Sequence, residues 1–346
     1  MSGRRLRGGL ALLAVLSAGL VTGLRSGTTA TATTRTTTSS TLTQPKVTAL
    51  PTTTTTPASA LPGHGRPPLF VGDMNTPEQF VLGALYQVAL AQAGYTVNVD
   101  RNIGPLSSAQ EALKQESLDV YPEYLDSDLL PSWDPNVARF TRHFRSISQA
   151  YAAGRLYARK HGFELLTPTP GGDTFGLAVT SQFARQNRVV SMAQLGRVPL
   201  LTFGMPFRFG GLWRAEKAYK FKAASVEYGA TGDQYGALDT GSVQVTYADS
   251  TDPQLDAPSY VLLADPKHVY GFGNIVPVTT PKVARAEGPA FRRIINRVDA
   301  LLTTRALRGL NAEFQLLHKD QIAVAEQFLQ GNGLLPPTAY QVARSH

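Results

Sequence analysis

The sequence predicts an α/β fold built on parallel strand–helix–strand units, and two observations carry that reading. "PPLFVGDMNTPEQFVLGALYQVALAQAGYTVNVD" (67–100) reads as a strand, a turn, a helix and a second strand within one short span. Short apolar runs then alternate with helical stretches over the rest of the chain. A hydrophobic content of 42% over 346 residues is enough for real cores, and the length suits about two domains.

The first helix has the clearest start. Thr76 can cap it, Pro77 suits its first position, and Gln79 completes a T-x-x-Q capping box. Phe80, Leu82, Leu85, Val88 and Ala89 fall near helical spacing, Gly94 ends the helix, and "YTVNV" alternates as a strand. A helix over "SSAQEALKQESL" follows, then a short buried strand in "DVYPEY" that places Tyr121 and Tyr124 just past its C-terminal end. Helical sequence resumes over about 136–162. "GLAVTSQF", "VPLLTFGMP", "ASVEYG", "VQVTYADST", "SYVLLADP" and "IVPVTT" read as strands, with "GDQYGALDTG" helical between them. The C-terminal region is helical over 285–303 and 303–331, ending at Gly331 and Gly333.

The N-terminus has Arg4, Arg5 and Arg7, an apolar run from Leu10 to Leu24, and small residues around Ala30 and Ala32. This predicts a secretory signal peptide over 1–32. Residues 33–67 read as a Thr/Pro-rich disordered spacer, because they offer no apolar periodicity to bury. Six basic and no acidic residues precede position 61, so a net charge of +8 falls to +2 over 61–346. The basic balance belongs to the tail and makes no case for a nucleic-acid surface. The absence of Cys excludes disulfides, thiolate metal sites, a Cys nucleophile and a lipid-modified Cys anchor.

Motifs for catalysis are lacking. The six histidines show no metal-ligand spacing, and neither a phosphate-binding G-x-x-x-x-G-K nor a G-x-S-x-G elbow occurs. No cofactor or metal is implied. Polar and aromatic groups instead collect at predicted strand ends and helix starts: Gln79, Tyr124, Ser127, Asp173, Phe175, Arg208, Asp249 and Thr251. Aromatic faces attract cations, carboxylates add charge, and an Arg fork can hold a ligand carboxylate.

Six segments in consistent order over about 69–335 resemble the glycine betaine/choline-type substrate-binding proteins of ABC transporters. "VGDMNTPEQFVLGALYQVALAQAGYTV" is similar to their V-G-S-K-x-F-T-E-Q opening, "LDVYPEYLDSDL" to D-x-Y-P-E-Y-T-G-T, and "GDTFGLAV" to N/D-T-Y-A-L-A-V. "TYADSTDPQL" resembles A-Y-S-T-D-G-x-I, and "GNIVPVTTPKV" resembles Y-N-A-V-P-V. "LRGLNAEFQ" with "VAEQFLQGNGLL" resembles L-x-x-L-N and V-A-x-x-F-L-x-x-x-G-L. The resemblance implies a type II periplasmic-binding-protein fold, with two α/β lobes joined by two crossing strands. Lobe 1 would comprise 68–174 and 275–346, and lobe 2 would comprise 175–274. The crossings would lie near "FGLAV" and "YGFGNIVPV". It also implies a non-enzymatic, extracytoplasmic solute receptor that hands its ligand to a membrane ABC permease.

Carried over residue by residue, Tyr124 matches a cage tyrosine, Phe175 stands for another, and Asp173 matches the acid before it. Ser127 stands for a Thr hydroxyl and Arg208 for the Arg. Met74, Asp249 and Gly273 depart from the family's Lys, Tyr and Tyr, with Tyr247, Tyr270 or Phe272 available as substitute aromatics. The site is thus less aromatic and more acidic than a betaine cage, and the expected ligand is a small cationic or zwitterionic amine of the betaine/choline class. The other readings are an envelope sensor using the same fold without transport, a hydrolase with a dispersed triad, and a scaffold whose pocket has drifted.

Overall fold

The computed structural model describes residues 60–104, 106–125, 144–206, 211–228 and 233–336. The expected signal peptide, residues 33–59 of the spacer, Ser127, Arg208 and the beginning of the 136–162 helix lie outside these residues. None of the helices among them is long and apolar enough to cross a membrane.

The expected opening unit forms: β1 (Leu69–Gly72), α1 (Pro77–Gln92) and β2 (Val97–Asp100), with β1 and β2 parallel. Thr76 caps α1 by accepting from the Gln79 N–H, and Gly94 takes φ +87° past its end. The capping box is only half made, because the Gln79 side chain accepts from Met74 N–H and donates to the Pro122 carbonyl. Its amide therefore ties the start of α1 to β3 (Val120–Tyr124), which follows α2 (Leu106–Lys114).

α3 (Ile147–Lys160) and β4 (Glu164–Leu165) complete this run. The chain then enters a second layer: β5 (Phe175–Thr180), α4 (Ser181–Asn187), β6 (Leu201–Pro206), α5 (Leu212–Tyr219), β7 (Ala223–Tyr228), α6 (Asp233–Asp239), β8 (Val245–Asp249) and β9 (Tyr260–Leu262). The strand expected over "GLAVTSQF" is shorter than its apolar run. Thr180 accepts from the Phe183 N–H and starts a helix there. Finally β10 (Ile275–Thr279), α7 (Pro281–Ala286), α8 (Gly288–Asp299), α9 (Thr304–Asn311), a π-helical turn (Ala312–Leu316) and α10 (Gln321–Gly331) return to the first layer.

The strands form two five-stranded mixed sheets, ordered β2-β1-β3-β10-β4 and β7-β6-β8-β5-β9. In each, the one strand that arrives from the other layer runs against its neighbours: β10 against β3 and β4, β5 against β8 and β9. Helices cover both faces of the first sheet. α1, α8, α9 and α10 bury Leu82, Leu85, Tyr86, Phe291, Ile295 and Leu329 on one side, while α2 and α3 seal Leu113, Tyr121, Phe163 and Val278 on the other. Tyr121 is therefore a core residue within β3 and not a residue beyond its end. In a strand, positions three apart point to opposite faces, so Tyr121 and Tyr124 cannot share one surface.

The two chain crossings touch each other. Gly172 bridges Asn274, and the Asp173 N–H donates to the Gly273 carbonyl at 2.8 Å. A Cβ on Gly172 would lie 2.3 Å from the Gly273 carbonyl, and one on Gly273 would lie 1.7 Å from the Asp173 carbonyl oxygen. Glycine is required because the backbones meet where a side chain would stand.

Candidate functional site

In both sheets the order of connection reverses once, between β1 and β3 and between β6 and β8. Ligands of open α/β sheets bind outside the carboxyl ends of strands at such reversals. The carboxyl ends here are Gly72 and Tyr124 in one sheet, and Pro206 and Asp249 in the other.

Glu78, in the first turn of α1, is 6% exposed. One carboxylate oxygen accepts from the Tyr124 hydroxyl at 2.8 Å, and the other from Asn311 Nδ2 at 2.7 Å. Burial raises its carboxyl above the usual carboxylate range, against hydrogen bonds from Thr251, Asn311 and Tyr124. Asp173, on the first crossing, is pushed well above that range by burial and then by the charges of Asp249 and Glu78. Its Oδ1 is sealed from solvent and has no hydrogen-bond partner among the described residues.

The second sheet supplies Asp249 and, in the turn after it, Thr251 and Asp252. The Tyr247 hydroxyl donates to Asp249 at 2.5 Å, and the Tyr235 hydroxyl donates to Asp252 at 2.8 Å. Asp252 is raised by burial, and both tyrosines are raised by burial and by those same carboxylates. Phe175 pairs with Asp249 across β5 and β8, and its ring lies 5.5 Å from the Tyr247 ring at a tilt of 50°. Thr251 is 2% exposed, and its carbonyl accepts from Asn311 Nδ2 at 3.1 Å.

The turn at 249–252 is anchored from two sides. Ser250 exchanges backbone and side-chain bonds with Thr174 and donates to the Gly172 carbonyl. Arg308 and Asn311, on α9, hold the Ser250 and Thr251 carbonyls, and Arg308 also pairs with Asp256.

Of the sequence candidates, Tyr124, Phe175, Asp249 and Thr251 thus gather around a fifth, Asp173. Gln79 is fully buried behind them, with both ends of its amide engaged. Ser127 and Arg208 lie outside the described residues. Of the three substitute aromatics, Tyr247 lies tilted against Phe175, Tyr270 packs in the core of the second sheet, and Phe272 packs beside His268. Sequence reasoning missed Glu78, Asp252, Tyr235 and Asn311. Glu78 reads as an ordinary acid at a helix N-terminus. Asn311 reaches the cluster from 233 residues further along the chain.

Tyr124→Phe leaves one oxygen of Glu78 without its donor. Stability should fall by about 1–3 kcal/mol, read from denaturant midpoints at pH 7. An unchanged midpoint would show that the bond contributes nothing.

Known proteins place this architecture. Residues 67–331 match the model of the substrate-binding domain of ABC-type glycine betaine transport systems. The chain is 28% identical over 294 residues to the glycine betaine-binding protein YehZ of Escherichia coli, covering 80% of this chain and 94% of that protein. The solved structure of apo YehZ aligns with a TM-score of 0.65 at 25% identity, covering 78% of this chain and 99% of that one. The crystal structure of a glycine betaine/carnitine/choline ABC transporter protein aligns at 0.68 with 19% identity, covering 77% and 99%, which adds the fold alone. Two mixed α/β layers joined by paired crossings are the type II periplasmic-binding-protein fold, and this chain belongs to the substrate-binding family of ABC-type glycine betaine transport systems.

Proposed function

We propose that this chain is an exported, non-catalytic receptor that captures a small amine cation or zwitterion of the betaine/choline class and delivers it to an ABC permease. Residues 68–174 with 275–346 form one jaw, and 175–274 form the other. The supporting observation is the convergence of carboxylates from both sheets, Glu78 with Asp173, Asp249 and Asp252, beside the Phe175–Tyr247 ring pair. A cation entering the cluster favours the charged form of its carboxyls, and the ring faces add cation–π attraction of about 0.5–2 kcal/mol each. Groups from both jaws favour the closed form once ligand is present, and that form is the one a permease reads.

Titration with glycine betaine, choline, carnitine, proline betaine and polyamines tests the reading. A true ligand at a hundred times its Kd should stabilise the fold by about 2.7 kcal/mol, seen as a thermal shift. Silence across the panel by a well-folded protein rejects it.

A further inference from the structure

Resting on the two-jaw reading, we infer that Arg308 and Asn311 form a third tie between the jaws, beside the two covalent crossings, and that this tie tightens the binding of every ligand by holding the cleft in its assembled arrangement. Both residues lie on α9, in one jaw, and their partners lie in the turn after β8 and the short helical turn that follows it, in the other. Arg308 Nε donates to the Ser250 carbonyl at 2.8 Å, and Nη1 pairs with Asp256 at 3.2 Å. Asn311 Nδ2 donates to the Thr251 carbonyl at 3.1 Å and to Glu78 at 2.7 Å. The tie therefore forms in the same arrangement that brings Glu78 of one jaw to Thr251 of the other.

The first residue of α9 sits at the pivot. Thr304 Oγ1 accepts from the N–H of Gly172, which belongs to the first crossing, at 3.3 Å. Asn311, at the other end of the helix, is about 10 Å away. A jaw rotation of about 15° transverse to α9, the scale of a known subunit rotation, moves a group at that distance by about 2.6 Å. The bond from Asn311 to Thr251 does not survive such a stretch, so the whole tie exists in one arrangement and is lost in the other. A ligand's apparent Kd is its intrinsic Kd divided by the fraction of protein in the competent arrangement. Raising that fraction tightens all ligands alike and leaves their ranking unchanged.

Charge alone predicts a different pattern. The Arg308 charge reaches Asp252, where it opposes the upward push of burial. By direct electrostatics, removing Arg308 favours a bound cation and removing Asp256 disfavours one. Loss of the tie weakens binding in both cases.

The test is calorimetric titration of the parent, Arg308→Met and Asp256→Asn with glycine betaine, choline and carnitine. Arg305→Met, at an exposed position of the same helix, controls for the lost charge. Arg308→Met should bind every ligand about three- to tenfold more weakly, with ranking unchanged and the control equal to the parent. Asp256→Asn should show a smaller loss in the same direction, because its carboxylate is 51% exposed, and it decides the matter where Arg308→Met folds poorly. The chain has no Cys, so spin labels at Leu156→Cys and Val190→Cys, one exposed site in each jaw, read the jaw separation without ligand. Arg308→Met should shift that distance, and added ligand should draw it back. Tighter binding by Arg308→Met, or affinities and distances equal to the parent's, overturns the inference and leaves the receptor reading standing. Silence across the ligand panel overturns the receptor reading, and the label distances then decide the tie.

Discussion

Gly273→Ala is expected to destabilise the protein by about 3 kcal/mol or more, at the upper end of what overpacking usually costs. The added methyl would fall 1.7 Å from the Asp173 carbonyl oxygen, and backbone cannot swing aside as a long side chain can. Relief requires the two crossings to separate. That breaks the bond from Asp173 N–H to Gly273 and the bond from Gly273 N–H to the Thr174 hydroxyl. Gly236→Ala is the control. It lies within α6, and a Cβ there meets nothing within 4 Å, so it should be stabilising by about 0.4–1 kcal/mol. Denaturant unfolding of both variants measures the contrast, and a Gly273→Ala midpoint equal to the parent's would refute the close approach. The same geometry explains the departure from the family pattern. A tyrosine at 273 has no room where these crossings touch.

The second large effect is a loss of stability as pH rises from about 5 to 8. Asp299 is 1% exposed, and its one bond among the described residues is from the Tyr86 hydroxyl at 2.7 Å. Burial holds its carboxyl well above the usual range. Glu287 is pushed up to about 7 by burial and then by the charge of Asp119. Glu78, Asp173 and Asp252 move the same way. A carboxyl with a raised folded-state pKa binds its proton more firmly in the native chain than in the unfolded one. Its stabilising contribution is complete below the unfolded value near 4 and is lost as pH climbs through the folded value. Asp299→Asn keeps an acceptor for Tyr86 and removes the titration. It should flatten the decline by up to about 1.4 kcal/mol per pH unit within that window. Unfolding curves at pH 5, 6, 7 and 8 check it, and parallel slopes for parent and variant would remove Asp299 from the explanation.

The regular elements were legible because their causes are local. "TPEQ" writes a helix start, and Thr76 caps it as read. The alternation of "YTVNV" and the apolar run of "IVPVTT" give β2 and β10. The misreadings lie where a distant partner decides. Gln79 leaves its box because the Pro122 carbonyl is within reach, and nothing near Gln79 in the chain announces that. Tyr121 was open to correction from the sequence alone, since strand alternation sends it opposite to Tyr124. The site was half visible. Tyr124, Asp173, Phe175 and Asp249 stand at strand ends or crossings, where motif spacing finds them. Asn311 ends a helix and Asp252 ends a turn, and each looks ordinary until folding brings Asn311 to Glu78 and Asp252 to the Tyr235 hydroxyl.

The interleaved path of the chain has a consequence for its biosynthesis. β3 and β4 wait for β10 to lie between them, and β10 leaves the ribosome only after every strand of the other sheet. The middle of the polypeptide can therefore organise while the opening segment is still unfinished. Premature termination before residue 275 leaves β3 and β4 with bare edges, which are surfaces for aggregation and not half of a working receptor.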